Sequence, residues 1–470
     1  MINKNYMYTR YFAIWICLLL VVSCKVGKDY QRPKLDLPEK YRNDTDINND
    51  TSALSQNPRD FFKNKYLLGL IDTAFEKNSD LLLAVQNIAL AESALGTVKL
   101  NYLPEINAQI NSRYTKASQN SSSGQAGGNR EIKDFNASAA LTWSIDIWGK
   151  IKREKEEALA SYLQSQEVRK AVQTKLVADI AKGYYNLLML DEQLEIANRS
   201  KVLSDSTLAI MKIQYKVGDA NILGIKQEEA QLNENKILIS QIEQSISIQE
   251  NALNVLCGKY TGVITRKVEG NSEFVSIPVE GYPVSLLASR PDIKAAELSL
   301  RASNARVGIQ QAAMYPALNI SAEGGLNSLT SSNWFSIPAS LFGTLAGGIT
   351  QPIFNKGRLK AQYAQAKVER EKEVIRFRQA VIDGYAQVSN ALKNKEEINK
   401  QFIFAESREE ALEEGITSTQ LLFKAGTVTY LDIITVQSAY LQSSLQRVQL
   451  YTNKALADIE LYYALGGGWQ

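Results

Sequence analysis

The chain has 470 residues, is 45% hydrophobic and 22% charged, and sets 53 basic against 50 acidic side chains for a formal charge of +3. That balance gives no electrostatic reason to expect nucleic acid as a partner. With no histidine, and three cysteines that form no CxxC, the Ser/His/Asp and Cys/His nucleophiles, histidine-ligated metals and haem, and thiolate zinc clusters are removed, so no cofactor or resident metal is expected.

Lys4 and Arg10 precede an apolar run from Tyr11 to Val22, which has the length of a signal-peptide core and is too short to span a bilayer. It ends in Val21-Val22-Ser23-Cys24, which resembles a bacterial lipobox. Residues 1–23 are read as a lipoprotein signal peptide and Cys24 as the lipidated residue. Its acyl chains are worth about 0.8 kcal/mol per buried CH₂. Ordinary cleavage beside a chance cysteine is the alternative. Cys17 leaves with the signal, so an acylated Cys24 and a lone Cys257 predict no disulfide. Residues 24–62 follow as an extended lipidated segment. No other 18-residue apolar run is present, so no membrane helix is predicted and any crossing must use strands.

The rest repeats itself loosely, as 63–258 and 289–470 joined by a linker at 259–288. Tyr215-Lys216-Val217-Gly218 matches Phe423-Lys424-Ala425-Gly426, Leu256-Cys257-Gly258 matches Ala464-Leu465-Gly466, and Tyr102-Leu103-Pro104 matches Met314-Tyr315-Pro316. Each half reads helix, strand, strand, very long helix, glycine turn, helix. Strands are predicted at about 103–117, 134–148, 316–328 and 340–353. In the first, Ile106, Ala108, Ile110 and Tyr114 alternate with Asn107, Gln109, Asn111 and Arg113. In the second, Phe135, Ala137, Ala139, Leu141, Trp143 and Ile145 alternate with polar residues. A half-buried sheet of a soluble domain is one reading. Two such hairpins behind a lipoprotein signal suit an outer-membrane barrel better. Four strands cannot close a barrel, because open edges in lipid leave backbone groups unpaired. Closure therefore needs several copies, with eight strands as a dimer or twelve as a trimer.

From Lys150 to Tyr215 there is no proline and one internal glycine, Gly183, so a helix of roughly 100 Å is expected. Heptad seams run through Ile434, Ser438, Leu441, Leu445, Val448, Thr452, Ala455, Ile459 and Tyr462, and through Leu232, Asn235, Ile239, Ile242, Ile246, Gln249, Leu253 and Leu256. Polar residues interrupt both, which fits the wall of a hollow assembly, although an antiparallel bundle would explain them too. Acidic pairs such as Glu156-Glu157, Glu228-Glu229, Glu396-Glu397 and Glu413-Glu414 stand beside basic residues and are read as solvated faces. No catalytic constellation is found, and the chain is not expected to be an enzyme.

Three motifs carry a family resemblance: Cys24-Lys25-Val26-Gly27-Lys28-Asp29-Tyr30-Gln31-Arg32-Pro33, Ser289-Arg290-Pro291-Asp292-Ile293, and Phe423-Lys424-Ala425-Gly426 followed by Leu431-Asp432-Ile433-Ile434. In this order they resemble the outer-membrane factor family of TolC-like channels, specifically its NodT/OprM-like lipoprotein branch. The resemblance implies an α+β, mostly α chain, with long antiparallel coiled-coil helices and four transmembrane β-strands. It also implies a homotrimer, with a 12-stranded barrel in the outer membrane and a helical periplasmic tunnel. The implied function is the passive channel of a tripartite RND-type efflux system for small molecules, opened by a periplasmic adaptor and powered by an inner-membrane pump. A type I protein secretion channel is the alternative. The resemblance places Gly218 and Gly426 at adaptor-docking helix tips. It places Asp432 and Leu431 at a periplasmic gate, with Thr435 where many members carry a second aspartate. Three copies of Asp432 would form a ring that raises its own pKa and attracts cations. Helix capping is the other reading of this acid.

Overall fold

The computed structural model describes residues 26–38, 40–41, 58–121, 131–218, 221–267, 282 and 284–467. The signal peptide and Cys24 lie outside the described residues, as do residues 122–130 of the first hairpin loop and 268–281 of the linker. The elements are α1 (Pro58–Phe61), α2 (Lys65–Lys77), α3 (Ser79–Leu100), β1 (Glu105–Lys116), β2 (Glu131–Ile145), α4 (Lys150–Val217), α5 (Ile222–Leu256), α6 (Pro291–Ala312), β3 (Ala317–Ser328), β4 (Leu341–Thr350), α7 (Arg358–Lys424) and α8 (Tyr430–Ala464), with 3₁₀ turns at Val284–Ser289 and Ser331–Asn333. The chain is mostly helical with four strands, as its sequence pattern indicated. Two compact units draw segments from both sequence halves.

The first unit comprises the chain up to Lys34, Ile88–Gln164 and Ala296–Phe377. Its sheet is antiparallel in the order β1-β2-β3-β4, so strands of the two halves pair directly. The register carries the period-two pattern across the sheet. Ile106 lies opposite Leu141, Leu141 opposite Ala322, and Ala322 opposite Leu345. Ile106, Ile110, Leu345 and Ile349 are all exposed, so one face is an uncovered apolar surface. The other face is polar and internally bonded. Ser138 Oγ donates to Glu323 Oε1 at 2.7 Å, Gln109 Nε2 donates to the same oxygen at 3.2 Å, and Ser144 Oγ donates to Asn319 Oδ1 at 2.7 Å. The outer edges of β1 and β4 pair with no strand.

The start of the described chain is strapped into this unit. Buried Arg153 donates to the Gly27 carbonyl at 3.0 Å and pairs with Asp29 at 3.0 Å and Glu156 at 2.5 Å. Tyr30 donates to Glu297 Oε1 at 3.2 Å, and Arg32 reaches Glu297 at 3.3 Å. Burial, then Glu297, pushes the Tyr30 hydroxyl up to about 12.

The second unit comprises Leu35–Asn87, Ser165–Ala295 and Arg378–Gln470. Its core is aromatic: the Phe61 ring stacks on Tyr462 at 4.4 Å and meets Phe62 edge-on at 4.8 Å. Asn64 caps α2, accepting from the Tyr66 and Leu67 amides and from the Tyr184 hydroxyl at 3.2 Å. Arg290, from the Ser-Arg-Pro-Asp-Ile motif, is buried and donates to the Ala464 carbonyl at 2.6 Å while pairing with Asp292 at 2.7 Å. The motif thus ties the start of α6 to the end of α8. Lys395 and Asp458 form a buried ion pair between α7 and α8. Cys257 is buried and unbridged.

On α8 every seam residue from Leu441 onward is buried except half-buried Leu445, but so are Gln437, Ser443, Ser444, Leu450, Ala457, Asp458 and Leu461. The buried arc is wider than one coiled-coil seam, because the helix packs against more than one neighbour. On α5 the stripe is narrower, and Ile239, Ile246, Gln249 and Leu256 are only half-buried. Helix α3 is long and apolar enough to cross a bilayer by length and composition, and is mostly exposed. The sequence reading passed over it because Gln86, Asn87 and Glu92 interrupt its apolar run.

Candidate functional site

Both glycine turns reverse the chain between antiparallel helices. Gly218 ends α4 at φ +90° and Gly426 ends α7 at φ +73°, a left-handed conformation that costs other residues about 1–2 kcal/mol. After Gly426 the Thr427 amide donates back to the Leu422 carbonyl at 3.0 Å, closing the helix end. The next helices then start on polar caps. At α5 the Asn221 side chain accepts from the Gly224 amide at 2.9 Å. At α8 the Thr429 amide and hydroxyl donate to Asp432 Oδ2 at 2.8 and 2.7 Å.

Leu431, Asp432 and Thr435 share one exposed face of α8, whereas Ile433 is buried. Thr435 Oγ1 donates to the Leu431 carbonyl at 2.8 Å. The structure thus brings these three candidates together, with Gly426 one turn before them. Within one copy, the hydrogen bonds from the Thr429 hydroxyl and amide hold the Asp432 carboxyl below its ordinary value. The capping reading therefore describes Asp432 in a single chain, and the ring that would raise its pKa is a property of several.

Beneath this face lies a packed seam that sequence reasoning missed. Leu208, Met211, Ile225 and Leu232 form a buried cluster against Tyr430, joining the first reversal to the second. Gly224 makes the fit possible: a Cβ there would sit 2.8 Å from Met211 Cε and 2.9 Å from two Tyr430 ring carbons. Gln437 Nε2 donates to Thr207 Oγ1 at 3.2 Å, a second link between the hairpins. The duplication held the signal for Gly224, which stands six residues after Gly218 as Asp432 stands six after Gly426.

Glu228 corrects the reading of its acidic pair as a solvated face. Glu229 fits that reading, pairing with Lys226 at 2.8 Å and Lys212 at 3.4 Å. Glu228 has no exposed surface, and neither of its carboxylate oxygens has a hydrogen-bond partner. Burial pushes its carboxyl up, and Ser204 offsets this only in part. It lies one turn from Ile225 and from Leu232 on the stripe that packs the tip.

The arrangement can hold two helical reversals together, and it carries no group set for bond-making chemistry. A sequence profile of outer membrane efflux proteins matches residues 70–259 and 282–467. The chain is 25% identical over 457 residues to the cation efflux system protein CusC of Escherichia coli, covering 96% of this chain and 97% of that one. It is 24% identical over 465 residues to a probable outer membrane lipoprotein, SilC, of Salmonella typhimurium, covering 98% and 99%. The crystal structure of the open state of the Neisseria gonorrhoeae MtrE outer membrane channel superposes with a TM-score of 0.85 at 24% identity, over 95% of this chain and 99% of that chain.

Proposed function

The chain belongs to the outer membrane efflux protein family, and from that premise we propose that it works as the passive outer-membrane conduit of a tripartite RND-type system exporting small molecules. The observation that carries the reading is the unfinished sheet. Four strands present an exposed apolar face, an internally bonded polar face and two unpaired edges. In lipid each unpaired backbone group costs several kcal/mol. Three copies joined edge to edge, β4 of one to β1 of the next, complete twelve strands with the apolar face outward. The exposed leucines of α3, among them Leu83 and Leu90, supply further surface for a neighbouring copy to cover.

The domain plan of this reading is a signal peptide at 1–23, a lipidated segment at 24–62, and two repeats at 63–258 and 289–470 around the linker 259–288. The Cys24 lipid joins the strands in holding the chain to the outer membrane. The Arg153 strap supports this, since it fixes the residues just after Cys24 against the unit that carries the sheet. The periplasmic adaptor docks at the tips around Gly218 and Gly426, and the inner-membrane pump supplies the energy. Docking separates the seam at Gly224 and Tyr430, and the tips dilate. Leu431, Asp432 and Thr435 line the constriction, where three Asp432 carboxylates repel one another and attract cations.

The test is single-channel recording of the purified full-length protein in planar bilayers, with its mass measured in detergent. Discrete conductance from a trimer is expected. A water-soluble monomer without conductance overturns the reading, and co-purification with a type I secretion adaptor in place of an efflux adaptor redirects it.

A further inference from the structure

A second feature of the helical unit is a cavity of about 370 Å³ between α4, α7 and α8. Its charge is unbalanced. Four carboxylates, from Glu192, Glu195, Glu409 and Glu413, face two guanidiniums. Arg447 is taken up by Glu192 at 3.2 Å and by Glu409, and Arg199 by Glu195. Among the described residues no ion pair holds Glu413. The wall also leaves hydrogen bonds unmet: Gln437 and Ser444 are 6% and 2% exposed, and neither Gln437 Oε1 nor Ser444 Oγ has a partner. The Gln437 amide is oriented by its own donation to Thr207, which commits its nitrogen and leaves its oxygen open. Such an unmet buried group costs about 1–3 kcal/mol.

A ligand that answers both deficits carries positive charge and N–H donors. A metal ion answers them poorly, because no group of three or more His, Cys, Asp or Glu residues among the described residues could hold one. The remaining lining, Ile196, Leu203, Leu441 and the Tyr440 ring, is apolar and suits a hydrocarbon or aromatic body. We propose that this cavity binds small organic cations bearing N–H donors, an aryl or alkyl ammonium. Glu413 supplies the charge, and Gln437 Oε1 and Ser444 Oγ accept the hydrogen bonds. The site is a property of the helical unit and does not depend on whether the assembly conducts.

Fluorescence anisotropy of ethidium, a planar cation with amino N–H groups, against full-length protein in nanodiscs of uncharged lipid tests this directly. Saturable binding that weakens with salt is expected. Glu413→Gln, an exposed change, should loosen it about 5- to 10-fold, close to one decade per 1.4 kcal/mol. Ser444→Leu, which fills the cavity, should remove it in protein of unchanged oligomeric mass. Anionic fluorescein should not bind. Equal ethidium affinity in wild type and Glu413→Gln, equal binding of fluorescein, or no saturable binding overturns the proposal. Ethidium binding by protein that shows no conductance would leave this site standing while the channel reading fell.

Discussion

Six residues after the first reversal stands Gly224, and Met211 and Tyr430 fill the space where its side chain would be; six after the second stands Asp432, exposed and tied only to Thr429. The two tips share a left-handed glycine and a polar cap, so duplication preserved the turn. What diverged is the first turn of the following helix. One copy became a socket for the other hairpin, and the other kept its surface free. The difference separates two jobs that a symmetric pair could not divide, holding the tip together and presenting charge.

The largest expected effect breaks the socket. Gly224→Leu forces a branched side chain against Met211 and Tyr430, and overpacking of this kind costs about 1–3 kcal/mol. Limited proteolysis near residues 205–225 should accelerate, and resting conductance should rise. Gly218→Ala and Gly426→Ala, where only backbone conformation is at stake and no atom lies within 4 Å of the added Cβ, should cost about 1–2 kcal/mol each and equally. Unequal costs at the two glycines would show that the turns themselves have diverged.

The next effect comes from Glu228, on the socket side. Its carboxyl is raised from its ordinary 4.5 in the packed tip, so the packed state holds more protons than the parted one. Packing strength is therefore greatest below about 4.5 and falls as pH rises through the raised value. Glu228→Gln should flatten that dependence between pH 5 and 8, and Glu228→Leu should stabilise the tip by about 1–3 kcal/mol. Hydrogen exchange of α5 amides measures both. A pH profile identical to wild type in Glu228→Gln would remove this carboxyl from the coupling between hairpins.

These positions also mark how far the sequence could be read. Strand alternation survived into the register because each apolar residue repeats on one face, as Ile106, Leu141 and Leu345 do. Helix limits were legible because Gly218 and Gly426 need a backbone that other residues avoid. The candidate face at Leu431, Asp432 and Thr435 came from resemblance, and the helix puts it on one side without further information. Gly224, Glu228 and Gln437 were opaque for a common reason. Their roles depend on which hairpin packs on which, and that contact joins residues far apart in the chain. Glu228 beside Glu229 looks like two equal charges, but one points to Lys226 and Lys212 and the other into a closed seam.

The smallest expected change in stability is also the sharpest test of the exposed tip. Asp432→Ala removes both the cap and the charge, so its phenotype mixes a loosened first turn with a lost carboxylate. Asp432→Asn keeps an acceptor for the Thr429 amide and removes only the charge. Asparagine serves helix N-termini nearly as well as aspartate, so stability should change by under about 0.5 kcal/mol. The wild-type cap is at full strength near neutral pH and weakens as pH falls through the lowered Asp432 value. If three such carboxylates gather at the proposed constriction, block by a trivalent cation such as hexamminecobalt should weaken at least about tenfold in Asp432→Asn, a loss of about 1.4 kcal/mol. Asp432→Ala should match it in block while fraying the start of α8 by hydrogen exchange. Block that persists in Asp432→Asn but disappears in Asp432→Ala would mean that the aspartate acts through the Thr429 cap, and that the cations bind elsewhere.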